Sequence, residues 1–175
     1  MNDFITLITR RRSVRRYAEA PLQPSEVEQL MKAAFLAPSS KNSCPWEFVL
    51  VEDKAMLKTL AACKPAGATS VEHCALAIVV LTDPLKTEAC IEDATVAATY
   101  IQLQAEAMDL GSCWVQVHNR QTASGSDSEQ YVKDALGIPY TFHVGCIVTL
   151  GRKAKAKPLH GEEKFQWEKV HIATY

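Results

Sequence analysis

Five arginines fall within seven residues: Arg10, Arg11, Arg12, Arg15 and Arg16. A guanidinium presents a fixed fork of donors matched to phosphate oxygens, so this density in a chain of formal net charge −1 points to an anion site. The same cations at a helix end would complement the helix dipole, and the segment by itself fits either role. A second stretch, Ala37-Pro38-Ser39-Ser40-Lys41-Asn42-Ser43-Cys44-Pro45-Trp46, sets two prolines around six small or polar residues. Its hydroxyls, amide and backbone N–H groups can read a polyol or a ring edge, and it equally suits a turn from helix to strand. A third, Leu110-Gly111-Ser112-Cys113-Trp114-Val115-Gln116-Val117, offers backbone N–H groups to a planar heterocycle or is an ordinary buried strand.

Acid–base and nucleophilic constellations do not stand out. There is no G-x-S-x-G and no Walker loop, and Glu92 and Asp93 are adjacent, so on a helix they do not face each other. Cys44 beside Pro45 has no assigned histidine partner, and His73, His118, His143, His160 and His171 are dispersed. The six cysteines contain no C-x-x-C pair and read as reduced thiols packed as small hydrophobes. His73–Cys74 is the nearest approach to a ligand cluster, so no metal is expected. A phosphate-type cluster and a polyol-reading loop without an acid–base set fit a carrier of a cofactor, which then supplies the hard chemistry.

The elements that must position these residues can be read from periodicity. Residues 3–8 read as a short helix leading into the arginines. Ser25 and Glu28 have capping-box spacing, and Val27, Leu30, Met31, Ala34 and Phe35 follow helical spacing to a stop near Ala37, before Pro38. Strands are expected at 46–51, 75–81, 112–117 and 144–150, the second a continuous apolar run suited to burial on both faces. Helices are expected near 55–63, at 87–110 with Gly111 as C-cap, and at 127–136 with Gly137 as stop. The long alanine-rich helix is apolar over much of its circumference, as for a helix packed on several sides. The order is mixed α/β without the strict alternation and glycine fingerprint of a dinucleotide-binding fold.

At 175 residues, 47% hydrophobic and 22% charged, the chain is expected to be one soluble domain spanning 1–175. No segment approaches a membrane span, and residues 1–8, interrupted by Asn2, Asp3 and Thr6, lack a signal core, so a cytoplasmic location is expected. The near-neutral charge, with no second basic face, argues against nucleic acid.

Taken together, these segments resemble the nitroreductase family of FMN flavoproteins in its compact form. Its motif R-R-S-V/I-R-x-Y/F stands here as Arg11-Arg12-Ser13-Val14-Arg15-Arg16-Tyr17. A-P-S-S-x-N-x-Q-P-W-x-F is matched over 37–48, with Cys44 in place of the glutamine. The alanine-rich helix followed by G-L-G-S-C-W is matched over 109–114, with Asp109 for the first glycine, and the ending by Leu150-Gly151 and 167–172. The resemblance implies an α/β (α+β) fold with a central mixed, mostly antiparallel sheet of four to five strands surrounded by helices, in a two-fold homodimer. It implies that Arg11, Arg12, Ser13 and Arg15 hold the phosphate, ribityl chain and pyrimidine edge of FMN, and that Pro38, Ser39, Ser40 and Asn42 approach the same FMN from the other subunit. Gln116 and Val117 would lie near flavin N5, and Gly151 and Arg152 would close the phosphate end, in competition with the basic tail. The implied reaction is a two-step hydride transfer from NADH or NADPH through N5 to a nitroaromatic, quinone or similar small acceptor. The rival on the same scaffold is a non-catalytic or redox-sensing flavin-binding protein. Cys44 bears on how its loop is pinned, and Gln116 and Val117 stand where small residues are common.

Overall fold

The computed structural model describes residues 4–175; Asp3, placed at the head of the first helix, and Asn2 lie outside the described residues. The chain runs α1 (Phe4–Arg10), α2 (Pro24–Phe35), β1 (Trp46–Val51), α3 (Lys54–Ala61), α4 (Thr69–Glu72), β2 (Leu76–Thr82), α5 (Cys90–Ala107), β3 (Leu110–Gln116), α6 (Ser128–Leu136) and β4 (His143–Arg152). The tail carries two short 3-10 turns at Glu162–Lys164 and Trp167–Lys169. No helix among the described residues is long and apolar enough to cross a membrane.

The four strands form one sheet in the order β1-β2-β4-β3, and every neighbouring pair is antiparallel. The four-stranded sheet is wholly antiparallel; among the described residues the one parallel pairing is an isolated bridge, Ser13 to Ser112, outside its strand pairings. β2 is buried at every position because it lies inside the sheet with helices on both faces. Leu76, Ile78 and Val80 join α2 and α5 in one core, while Ala77, Val79 and Leu81 join α3, α4 and α6 in the other. Period-two alternation thus divides one strand between two cores, and each fully buried Leu or Ile contributes about 1.5–3 kcal/mol.

Helix ends depart from the sequence reading in two places. The capping box of α2 is formed by Gln23 at the N-cap and Glu26, which accepts the Gln23 N–H at 2.8 Å, whereas Glu28 instead pairs with Lys32. The shift has a cause: Pro24 already supplies the first helical position, so Ser25 is inside the helix rather than before it. α5 starts at Cys90 and stops at Ala107, shorter than 87–110, and the left-handed residue that ends it is Asp109 (φ 57°). Gly111 is not a cap but the second residue of β3. α6 follows its expected boundaries, with Asp127 accepting the Gln130 N–H and Gly137 left-handed at φ 66°.

Candidate functional site

The arginine segment is stapled across one end of the sheet. Val14 N–H donates to Ser112 O at 2.8 Å and Ala18 N–H to Arg152 O at 3.0 Å, so residues 14–18 span from β3 to the end of β4. A Cβ on Gly111 would lie 2.8 Å from Val14 Cγ1, and one on Gly151 would lie 2.8 Å from Tyr17 Cδ1. Both glycines therefore serve close approach of this segment to the strands. The Tyr17 hydroxyl lies 2.7 Å from Val14 O and 2.7 Å from Thr149 Oγ1. Burial drives its pKa far above the usual phenol range, so it stays a protonated donor.

The cations divide into two groups. Arg10, Arg12, Val14, Glu106, Asp109 and the tail from Lys153 to Leu159 line a pocket of about 320 Å³. The buried Glu106 accepts Lys153 Nζ at 3.0 Å and faces Arg10 Nε at 3.5 Å, and Asp109 accepts Lys153 at 2.9 Å. Arg10 and Lys153 are thereby neutralised. Arg12 donates to Pro158 O and Lys157 to Ser13 O, which are uncharged partners. With Lys155 on the same wall, three cations face this pocket without a carboxylate of their own among the described residues. Arg11 ends α1, its N–H on Leu7 O.

The second group was not visible in any local pattern. Lys64, just beyond α3, has its pKa lowered by burial and then by the like charges of Arg120 and Arg15. Lys64, Arg120 and Arg15 come from three distant segments of the chain. Arg15 and Arg16 also line a larger cavity of about 990 Å³ running along residues 17–22.

Arg152 is engaged elsewhere. Its guanidinium grips Glu26 through two contacts of 2.8 Å. Burial would raise the Glu26 pKa, but the Gln23 N–H and the Arg152 guanidinium outweigh it and hold the carboxyl below its usual range. Gly151 thus lies under Tyr17, and Arg152 is paired with Glu26.

The Pro38–Asn42 loop is held by few bonds of its own. Ser39 Oγ accepts the Cys44 N–H at 3.0 Å. Lys41, Asn42 and Cys44 all adopt left-handed backbone (φ 52°, 54° and 44°), a conformation that costs non-glycine residues of order 1–3 kcal/mol each. Ser40 N–H donates to Asp93 Oδ1 at 2.8 Å, and Thr87 Oγ1–H donates to Asp93 Oδ2 at 2.8 Å. Asp93, set aside in the sequence because it neighbours Glu92, is the residue that reaches this loop. Pro38 and Asn42 are exposed, and Ser39 and Ser40 are half-buried.

Register shows that one chain does not bring the loop and the arginines together. Trp46, which follows the loop, pairs with Thr82 and so with His143. The arginine segment crosses where Ser112 pairs with Leu150 and Leu150 with Leu76, the opposite end of the same strands. β3 connects the two ends along its outer edge. Strand backbone groups alternate, so Trp114 and Gln116 turn their N–H toward the same open side on which Ser112 meets Val14. Gln116 is braced there by Trp114 Nε1–H at 2.9 Å and by its own amide on His118 O at 2.9 Å. Val117 is fully buried in the core, and its carbonyl accepts the Arg120 N–H at 3.1 Å. Beyond it, Glu129 accepts the Val144 N–H and meets His118 Nδ1, tying the end of β3 to α6 and β4.

Comparison with known proteins agrees with this layout. The family model described as "Nitroreductase family" matches residues 8–77 and 71–152. An Archaeoglobus fulgidus protein provisionally named as an NADH dehydrogenase/NAD(P)H nitroreductase is 30% identical over 176 residues, covering 98% of each chain. The solved structure of an FMN-dependent nitroreductase from Clostridium difficile R20291 is 37% identical and superposes with a TM-score of 0.95, covering 98% of this chain and 99% of that one. A provisionally named nitroreductase from Desulfovibrio desulfuricans, solved in complex with FMN, shares the fold at 21% identity and a TM-score of 0.77, covering 98% and 99%. A sheet end crossed by an arginine segment, a strained serine loop at its far end and matches over nearly the whole length have one common account: the chain belongs to the nitroreductase family.

Proposed function

We propose that this chain is an FMN-dependent NAD(P)H oxidoreductase that works as a two-fold homodimer with a flavin in each of two shared sites. The observation that carries the reading is the separation of the arginine segment and the Pro38–Asn42 loop at opposite ends of one sheet. A single ligand contacted by both requires the loop of a second copy, and two-fold symmetry then yields two equal sites. Apolar side chains left outside the fold support that partner: Phe4, Ile5 and Ile8 on α1, and Phe165, Trp167, Val170 and Ile172 in the tail are all exposed.

The donor set fits the group. Arg11, Arg12, Ser13 and the tail lysines Lys155 and Lys157 offer charge-assisted donors to a phosphate, and Arg15 with Lys64 favours the electron-rich pyrimidine edge. Lys155 and Lys157, rather than Arg152, close the phosphate end. Ser39, Ser40 and Asn42 supply polar contacts from the partner, and the Gln116–Val117 backbone lies along the ring edge. When bound, FMN supplies hydride exchange in a two-step, ping-pong cycle between NADH or NADPH and a nitroaromatic, quinone or similar small acceptor. The protein contributes binding, orientation and electrostatics.

The purified chain, reconstituted with FMN, is expected to be yellow, to bleach anaerobically on addition of NADH or NADPH, and to recover colour with a nitroaromatic or quinone. A flavin that binds and stays oxidised with both nicotinamides would instead support the redox-sensing or carrier reading. Failure to take up FMN would refute both.

A further inference from the structure

We infer that Asp93 is the positioning residue of the cofactor loop: from the first turn of α5 its carboxylate holds residues 39–44 in the shape that completes the partner subunit's site. The inference rests on the shared-site reading above. The loop has few bonds of its own. Its 3-10 turn is closed only by Asn42 N–H on Ser39 O at 3.1 Å and Ser43 N–H on Ser40 O at 3.0 Å. Three of four residues from Lys41 to Cys44 are left-handed without being glycine. The Ser39 hydroxyl, which would ordinarily cap the turn, is turned to the Cys44 N–H instead. The acceptor at the head of the turn therefore arrives from 53 residues away, as Asp93 Oδ1 on Ser40 N–H.

Asp93 is 3% exposed. No cation among the described residues pairs with it, and a buried carboxylate without one is costly. That cost is met by neutral donors and by the N-terminal end of α5, whose dipole favours negative charge. Thr87 fixes the second oxygen while accepting the Ala89 N–H at 3.0 Å, so the carboxylate has one orientation. Trp46 Nε1–H donates to the main-chain carbonyl of the same residue at 2.9 Å, which fixes the far end of the loop to the same turn of helix. Both ends of the loop are thus referred to a single residue, and Ser39, Ser40 and Asn42 are held in register with α5.

The test uses FMN affinity in mixed dimers. Asp93→Ala homodimers are expected to bind FMN about ten- to a hundredfold more weakly than wild type, the size of one hydrogen bond to a charged group. Asp93→Asn keeps one acceptor for Ser40 and is expected to fall between; it replaces the alanine variant if that one does not fold. Unchanged affinity in both variants overturns the inference. Dimers carrying Asp93→Ala in one subunit and Arg11→Ala in the other, isolated through two different tags, then separate the roles. If Asp93 acts through the loop on the partner's site, one site carries both lesions and the other neither, so one tight FMN per dimer is expected. If Asp93 acts within its own subunit's arginine site, or only on stability, every site is damaged and no tight FMN remains, which overturns the inference. A parallel dimer of Ser40→Ala with Arg11→Ala reports on the shared site alone. No tight FMN there removes the shared-site reading and the role of Asp93 with it; one tight FMN there and none with Asp93→Ala removes only the latter.

Discussion

Among the basic residues gathered at the crossed end of the sheet, what each one already touches decides what it can still bind. Arg152 spends both of its terminal nitrogens on Glu26, whereas Arg12 and Lys157 meet only carbonyl oxygens. Arg152→Met is therefore expected to retain FMN and to lower stability by about 1 kcal/mol, as for a well-formed pair at the rim of a fold. The pH dependence has a definite sign. Because the Glu26 pKa is lowered in the folded chain, the pair stabilises above the ordinary glutamate range, near pH about 4, and this contribution is lost as pH falls through the lowered value. Denaturant titrations of wild type and variant should differ at neutral pH and converge on acidification; a constant gap would assign the effect to lost packing of the side chain.

At the level of elements, the fit between α5 and the sheet sets where the loop is held. A Cβ on Gly145 would lie 2.7 Å from the Ala94 Cβ, beside Asp93. Gly145→Ala is expected to cost about 1–3 kcal/mol by overpacking and, by pushing the first turn of α5 outward, to weaken FMN retention as well. Thermal unfolding and flavin titration on one sample check both; a stability loss with unchanged retention would show that the loop does not depend on the seating of α5. Much of this architecture was legible beforehand. β2 announced itself as a continuous apolar run and α6 by its Asp127 and Gly137 ends, because those signals are local. Gly111 misled for the opposite reason: its requirement comes from Val14, a residue 97 positions earlier that packs on it only after the sheet has formed. The arginine cluster was legible as an anion site, but its division into neutralised and available members depended on Glu106, Asp109 and Glu26, which no spacing rule connects to it.

The whole molecule presents more apolar surface than its own cores use. Trp167 is 75% exposed and Ile172 88%, in a tail whose hydrogen bonds to the body include Arg12 on Pro158 O, Lys157 on Ser13 O and His160 N–H on Thr9 O. Ending the chain at Leu159 keeps Lys155 and Lys157 but removes those side chains. The shortened chain is expected to dissociate at least about tenfold more readily, roughly the effect of losing one large apolar anchor, and to lose FMN in parallel. Analytical ultracentrifugation with absorbance at the flavin band measures both together; an unchanged dimer would show that the tail does not hold the two copies together.

The staple of Val14 and Tyr17 on Gly111, Thr149 and Gly151 also orders events in time. Tyr17 meets Thr149 across 132 residues of chain, a long loop whose closure must await the pairing of β3 with β4. A chain still emerging from the ribosome has made its arginines long before it has made the surface that arranges them. The arginine segment can therefore take its place only where β3 and β4 have paired.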